Sequence, residues 1–379
     1  MQLHRATATS AVSAIFVLSV AACGGGSGGG GGSATTSTGL TDAALASDGV
    51  IAAAHTDANL QNAWGVAAAP GGPFWIADNN SNLATVYDGT GAPQALVVTI
   101  PAGTNGPANP TGQVFNGTTD FVITTTTGSA PAQFIFAGEG GTITGWAQTV
   151  SGTTATIAYD DAAGGAVYKG LALANNGTAN QLYATDLHNA KVDVFDTNFH
   201  KVALPGAFAD PTIPAGFAPF GIQLLNNQLY VTYAMQDATA HDETLGAGLG
   251  YVNVFDVNGT LVKRFASAGA LNAPWGIAMA PAGFGSAAGN LLIGNFGDGA
   301  INRFNPATGS SLGAVALSSG KPLLIPGLWA LVFGNGAANQ PTSALFYTAG
   351  PNNQVDGVFG RIDAVTVSSA PPPCTGYGC

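Results

Sequence analysis

The chain has 379 residues, 46% of them hydrophobic and only 8% charged, with 55 glycines, a net charge of −11 and an isoelectric point of about 4.5. That length suffices for one large core or two ordinary ones, and the low charge and abundant glycine suit an all-β chain with many tight turns; no long window carries a 3.6-residue apolar period. An acidic chain without a basic stripe has no means of releasing counterions from a phosphate backbone, which excludes nucleic acid as a partner.

Residues 1–22 read as an export signal: His4 and Arg5 precede an apolar run over residues 11–22 that is too short to span a bilayer comfortably. The run ends in Val20-Ala21-Ala22-Cys23, which resembles the bacterial lipobox, whose cysteine is lipidated and begins the mature protein. An ordinary secretory signal cleaved after a small residue is the alternative. Residues 24–33 are only Gly and Ser, and residues 34–39 continue small and polar. Residues 23–39 are therefore expected to be a lipidated Cys23 followed by a flexible linker, with a reach of roughly 20–25 Å. Gly24 in place of an aspartate after Cys23 points to the outer membrane, with a secreted or periplasmic protein as the alternative.

From residue 40 to residue 367 one pattern recurs six times. It opens with Trp64-Gly65-Val66, Thr111-Gly112-Gln113, Lys169-Gly170-Leu171, Phe220-Gly221-Ile222, Trp275-Gly276-Ile277 and Trp329-Ala330-Leu331. A period of about 50 residues is the length of a four-stranded propeller blade. A second apolar stretch follows in each copy, as in Phe74-Trp75-Ile76-Ala77-Asp78 and Leu291-Leu292-Ile293-Gly294-Asn295, bounded by Gly, Asn or Asp as strands are. A third stretch alternates with period two and ends in an acid or amide, as in Val192-Asp193-Val194-Phe195-Asp196. That terminal residue is expected to make an Asx turn into a fourth strand. In the second copy, residues 121–125 and 134–138 compete for the second-strand place, leaving one as an insertion. Residues 40–60 precede the first copy and supply the outer strand of the last blade, closing the ring and removing exposed sheet edges.

These residues also carry a resemblance. Ile76-Ala77-Asp78-Asn79-Asn80 and Gly294-Asn295-Phe296-Gly297-Asp298-Gly299 look like the core of NHL repeats. With Tyr168-Lys169-Gly170-Leu171-Ala172, Pro219-Phe220-Gly221-Ile222-Gln223 and Ala273-Pro274-Trp275-Gly276-Ile277, residues 40–367 resemble an uncharacterised bacterial family of NHL-like propellers. The expected fold is an all-β, six-bladed β-propeller with four-stranded blades, its ring closed by the N-terminal strand. The resemblance implies no activity.

In a propeller the loops joining second to third strands gather on one face with the blade-to-blade connections, and ligands meet that mouth. These loops hold Asp78 with Asn79, Glu139, Asp186 with His188, residues 235–246, Asn295 with Asp298, and Asn352 with Asp356. The fourth loop concentrates Asp237, His241, Asp242 and Glu243 in a chain poor in charge. Carboxylates and imidazole at that spacing either hold a divalent ion, Ca²⁺ or with the His Zn²⁺ or Mn²⁺, or form a solvated surface loop. The candidate metal or ligand residues are Asp237, His241, Asp242, Glu139, His188 and Asp298. Asp78, Asp186 and Asn295 share one repeat position, which argues for a structural role accepting backbone N–H groups. Trp64, Trp275 and Trp329 are expected to pack between neighbouring blades. No Walker loop is present and catalytic residues are unassigned, with His188 and His241 the available bases.

Residues 368–379 form a tail in which Pro371-Pro372-Pro373 precedes Cys374 and Cys379, two cysteines able to close a disulfide in an oxidising compartment. Two functions remain: an envelope-anchored binding or scaffold module for a protein, peptide or glycan, touching the membrane only through its lipid; or a metal-dependent hydrolase, lactonase or lyase.

Overall fold

A computed structural model describes residues 35–104 and 106–369, with side-chain environments from residue 38 to residue 366. Cys23, Cys374 and Cys379 lie outside the described residues. Residues 37–367 form one compact unit.

Six blade sheets of mainly antiparallel strands build this unit. The innermost strands are Ala63–Ala68, Pro110–Phe115, Tyr168–Asn175, Phe217–Leu225, Pro274–Met279 and Leu328–Phe333, and each carries one copy of the opening motif. Each packs on the next, and the sixth returns to the first, which closes a ring. The second strands are Phe74–Asp78, Phe134–Gly138, Asn180–Asp186, Gln228–Gln236, Leu291–Asn295 and Leu345–Ala349. Third and outer strands follow in blades 1 to 5, for example Gly250–Asp256 and Leu261–Ser267 in blade 4. In blade 6 the third strand, Val358–Ser369, pairs with Thr35–Ser47, so the N-terminal strand supplies the outer position. That strand starts within the segment expected to be linker, where the sequence turns from Gly/Ser to threonine-rich. The fold is the expected six-bladed propeller. Among the described residues no helix is long and apolar enough to cross a membrane.

The third strands end in the expected turns. Asp88, Asp196, Asp256 and Asn305 each accept the backbone N–H two residues on; Asp363 instead pairs with Arg361. In blade 2 the Phe134 segment takes the second-strand place, while Val122–Thr125 and Gly128–Pro131 form an inserted hairpin.

The repeated dipeptide is a β-bulge. In every blade the register between inner and second strand slips at that point, as between Pro219 and Ile222 or Pro274 and Ile277. A bulge re-aims the side chain it carries. Here the residues before the glycines turn to the axis: Trp64 stacks on Trp329 with centroids 3.5 Å apart, and Trp275 and Phe220 meet Trp329 edge-on. The tryptophans therefore do not pack between blades; they plug the channel, with Phe296 stacked on Trp329 from the other side.

In blades 1 to 5 the glycine's α-carbon lies against the next blade's backbone, where a side chain would clash. A methyl group at Gly65 would strike the Thr111 carbonyl, and one at Gly221 the Trp275 carbonyl. Threonines on second strands tie the ring together. Thr185 Oγ1 accepts the Gly170 N–H at 2.7 Å and donates to the Phe220 carbonyl of the next blade at 2.6 Å. Thr348 does the same between Ala330 and Trp64.

Candidate functional site

One of the six axial positions breaks the pattern. Where blades 1, 4, 5 and 6 carry Trp or Phe and blade 2 carries Thr111, blade 3 carries Lys169, the one charged residue of the ring. Its side chain is 0% exposed and its ammonium lies 5.2 Å from the Trp64 ring centroid. An ammonium in such a place must be paired. Nζ donates to Glu139 Oε1, from the second-to-third loop of blade 2, and at 3.2 Å to Asp242 Oδ1, from the long loop of blade 4. Burial lowers the lysine's pKa; Glu139, Glu243 and Asp242 outweigh it and raise it above the usual lysine value.

The network extends both ways from this pair. Glu139 Oε2 accepts from Asn79 Nδ2 at 2.9 Å, and Asn79 Oδ1 from Asn62 Nδ2 at 3.2 Å. Asn62 also donates to Gln354 Oε1 at 3.2 Å and accepts from Trp329 Nε1 at 2.9 Å. Gln354 closes a run of three left-handed residues, Asn352, Asn353 and Gln354, with φ of 54°, 57° and 66°. Non-glycine residues adopt that conformation at a cost, and here it aims the Gln354 amide at Asn62. On the other side His241 Nδ1 lies 3.1 Å from Asp242 Oδ1. The outer pair is accessible, His241 at 49% and Asp242 at 55%, whereas Glu139 is 8% exposed. A ligand at this mouth would therefore meet imidazole and carboxylate, with the lysine acting from below.

The charges interact strongly. Hydrogen bonding from His241, with Lys169 adding to it, holds the Asp242 carboxyl well below the usual range, and the same hydrogen bond raises His241. Part of Glu243 remains accessible, but burial dominates at its carboxyl and pushes its pKa up to about 7, Lys169 opposing and Asp242 and Glu139 adding. Glu243 and His241 thus hold protons more tightly folded than unfolded. Their stabilisation is present at low pH and lost as pH rises, for Glu243 between 4.5 and about 7 and for His241 from 6.5 upward. Thermal melts between about pH 5 and 8 should show a falling melting temperature, with Glu243→Gln flattening the lower part of the slope. An unchanged slope in that variant would contradict the assignment.

Three of the six candidate residues come together: Glu139, His241 and Asp242 can each offer one ligand atom within 4.8 Å of the others. Two carboxylates and an imidazole fall short of the six to eight oxygen ligands Ca²⁺ takes, and suit Zn²⁺ or Mn²⁺ better. Either ion would compete with Lys169 for the same carboxylates. The other three serve local structure. Asp237 accepts the N–H groups of Thr239 and His241, both at 3.0 Å, and so shapes the loop. Asp298 accepts the Ala300 N–H at 3.0 Å and the Asn295 amide at 3.1 Å. His188 is exposed, its ring 3.3 Å from the Ala240 carbonyl. Of the equivalent trio, Asp186 accepts the N–H of Val167 and of Asn189 as expected. Asp78 instead accepts the Thr85 hydroxyl at 2.8 Å, and burial raises its pKa well above the usual carboxylate value.

No protein-family model matches the chain. Uncharacterized protein R648 of Acanthamoeba polyphaga mimivirus is 34% identical over 319 residues, which cover 82% of this chain and 76% of that protein. Uncharacterized protein L690 of the same virus is 33% identical over 330 residues, 84% of each chain. Among solved structures, a protein of unknown function from Bacteroides thetaiotaomicron aligns with a TM-score of 0.53 at 11% identity, covering 87% of this chain and 77% of that one. Virginiamycin B lyase from Staphylococcus aureus aligns with a TM-score of 0.49 at 13% identity, covering 86% and 100%. At such identities structural likeness speaks for the fold alone. The sequence relationship goes further: the chain belongs to the same family as the mimivirus proteins R648 and L690.

Proposed function

We propose that this chain is an exported protein, lipid-anchored through Cys23 to the bacterial outer membrane, whose propeller is a binding or scaffold module for a protein, peptide or glycan at the polar mouth. One observation supports this reading: loops of blades 2 and 4 bring Glu139, His241 and Asp242 together over Lys169, the one charge on the channel axis. The blade 4 loop, the longest second-to-third connection among the described residues, supplies two of these side chains, and loops of that length on a compact scaffold are commonly functional. The test is an array of peptides and of neutral and charged glycans probed with the full chain and with His241→Ala/Asp242→Asn. The expected result is a ligand held by the wild type and lost by the variant while the variant remains folded, as its circular dichroism shows. A ligand held equally by both would remove the mouth from the reading.

The convergence of the same three side chains also favours a second reading, a metal-dependent hydrolase, lactonase or lyase at this mouth. Against it stands Lys169, whose ammonium already pairs with both carboxylates a metal would need.

A further inference from the structure

The opposite end of the channel has a different chemistry. Below the tryptophan plug the inner strands of all six blades enclose a cavity of about 390 Å³, lined by the residues that follow the repeated glycine or alanine, among them Leu171, Ile222 and Leu331. A second cavity of about 370 Å³ lies between blades 1 and 2 at the same end, and Phe115 lines both. Both volumes are in the range of small-molecule sites. Neither cavity is lined by a charged side chain, although the chain carries a net charge of −11.

The blade 1/2 cleft has an aromatic floor with an amide rim. Trp75 stacks on Phe134 with centroids 4.1 Å apart, Trp146 tilts against Trp75 and Phe115 meets Phe134 edge-on. Trp75, Trp146 and Phe134 are buried, while Phe115 is partly exposed. Around them stand Gln94, Gln133 and Gln148, all exposed. Gln94 donates to the Ala92 carbonyl and keeps its Oε1; Gln133 accepts the Gln148 N–H at 2.9 Å and keeps its Nε2. The Gln148 amide, and that of Gln223 at the axial cavity, have no hydrogen-bond partner among the described residues.

We propose that this groove, distinct from the polar mouth, binds a neutral glycan. Sugar hydroxyls both donate and accept, as free amides do, and the C–H faces of a sugar ring pack on aromatic and aliphatic side chains. A purely apolar ligand would leave the amide rim unmatched. A charged one would be desolvated without a partner. Adjoining cavities sharing Phe115 suit an extended chain of sugars running from the axis into the cleft.

The test is calorimetric titration of the full chain with maltohexaose, cellohexaose and chitohexaose, with tryptophan fluorescence as a second readout. Saturable binding of at least one of them is expected. Gln133→Ala/Gln148→Ala should weaken it about tenfold or more at unchanged melting temperature, through the lost hydrogen bonds. Phe115→Ala, a separate variant outside the amide rim, should weaken it as well. Absence of saturable binding with all three sugars would overturn the proposal. So would binding that is untouched by both groove variants but abolished by Asp242→Asn, since that would place the sugar at the polar mouth.

Discussion

Gly221→Ala is expected to abolish stable folding. The added methyl would lie against the Trp275 carbonyl of the next blade, within 2.9 Å of Thr232 Oγ1 and 3.1 Å of the Trp275 carbonyl carbon. Neither strand can retreat. The blade 5 strand is held in turn, because the Gly276 α-carbon packs on the Trp329 backbone, and closure passes any displacement round the ring. A backbone clash of this kind costs about 3 kcal/mol or more, a large fraction of an ordinary domain's stability. Gly283→Ala is the matched control, its nearest neighbour being the Ser343 side chain at 3.8 Å. Soluble yield and melting temperature check the pair. A Gly221→Ala protein as stable as the control would mean that the ring tolerates separation at this joint.

Glu139→Gln is expected to produce the largest loss among single changes at the mouth. It leaves the Lys169 ammonium without its main partner while that group is 0% exposed. Removing one partner of a buried pair costs roughly 3–5 kcal/mol, because the other charge stays behind. With Asp242 still in place, about 3 kcal/mol is the expected value in denaturant melts. Lys169→Met/Glu139→Gln should recover most of it, since both charges then leave together. A single variant within about 0.5 kcal/mol of wild type would contradict the picture of Lys169 as a fully desolvated hub.

The scaffold was legible in the sequence because the same physical problem is solved six times. Every inner strand needs a small residue where neighbouring backbones meet, every second strand an apolar run, and most third strands an Asx turn. Blade 2 was hardest to read, for a local reason. Its third strand, Thr142–Trp146, lacks a terminal acid and follows a tight turn at residues 139–141, while the inserted hairpin offers a competing apolar run. The site was half legible. His241, Asp242 and Glu139 stood out as charges in second-to-third loops. Asp237 and Asp298 stood out on the same grounds, but their side chains turn back onto their own backbone, a choice that loop geometry makes and composition does not reveal. Lys169 is masked as a site residue because it occupies a scaffold position. Its signal was a cation where the equivalent residues are aromatic or neutral. The tryptophans were misplaced for a related reason: a bulge reverses the direction that simple strand alternation assigns.

At the polar mouth the cation paired with Glu139 and Asp242 is Lys169 rather than a metal. Elemental analysis of the full chain purified without chelator, paired with thermal melts with and without chelator, tests it most directly. No stoichiometric divalent ion and an unchanged melting temperature are expected. One tightly held ion per chain, lost together with chelator-sensitive stability in Asp242→Asn, would contradict it and favour the metal-dependent enzyme.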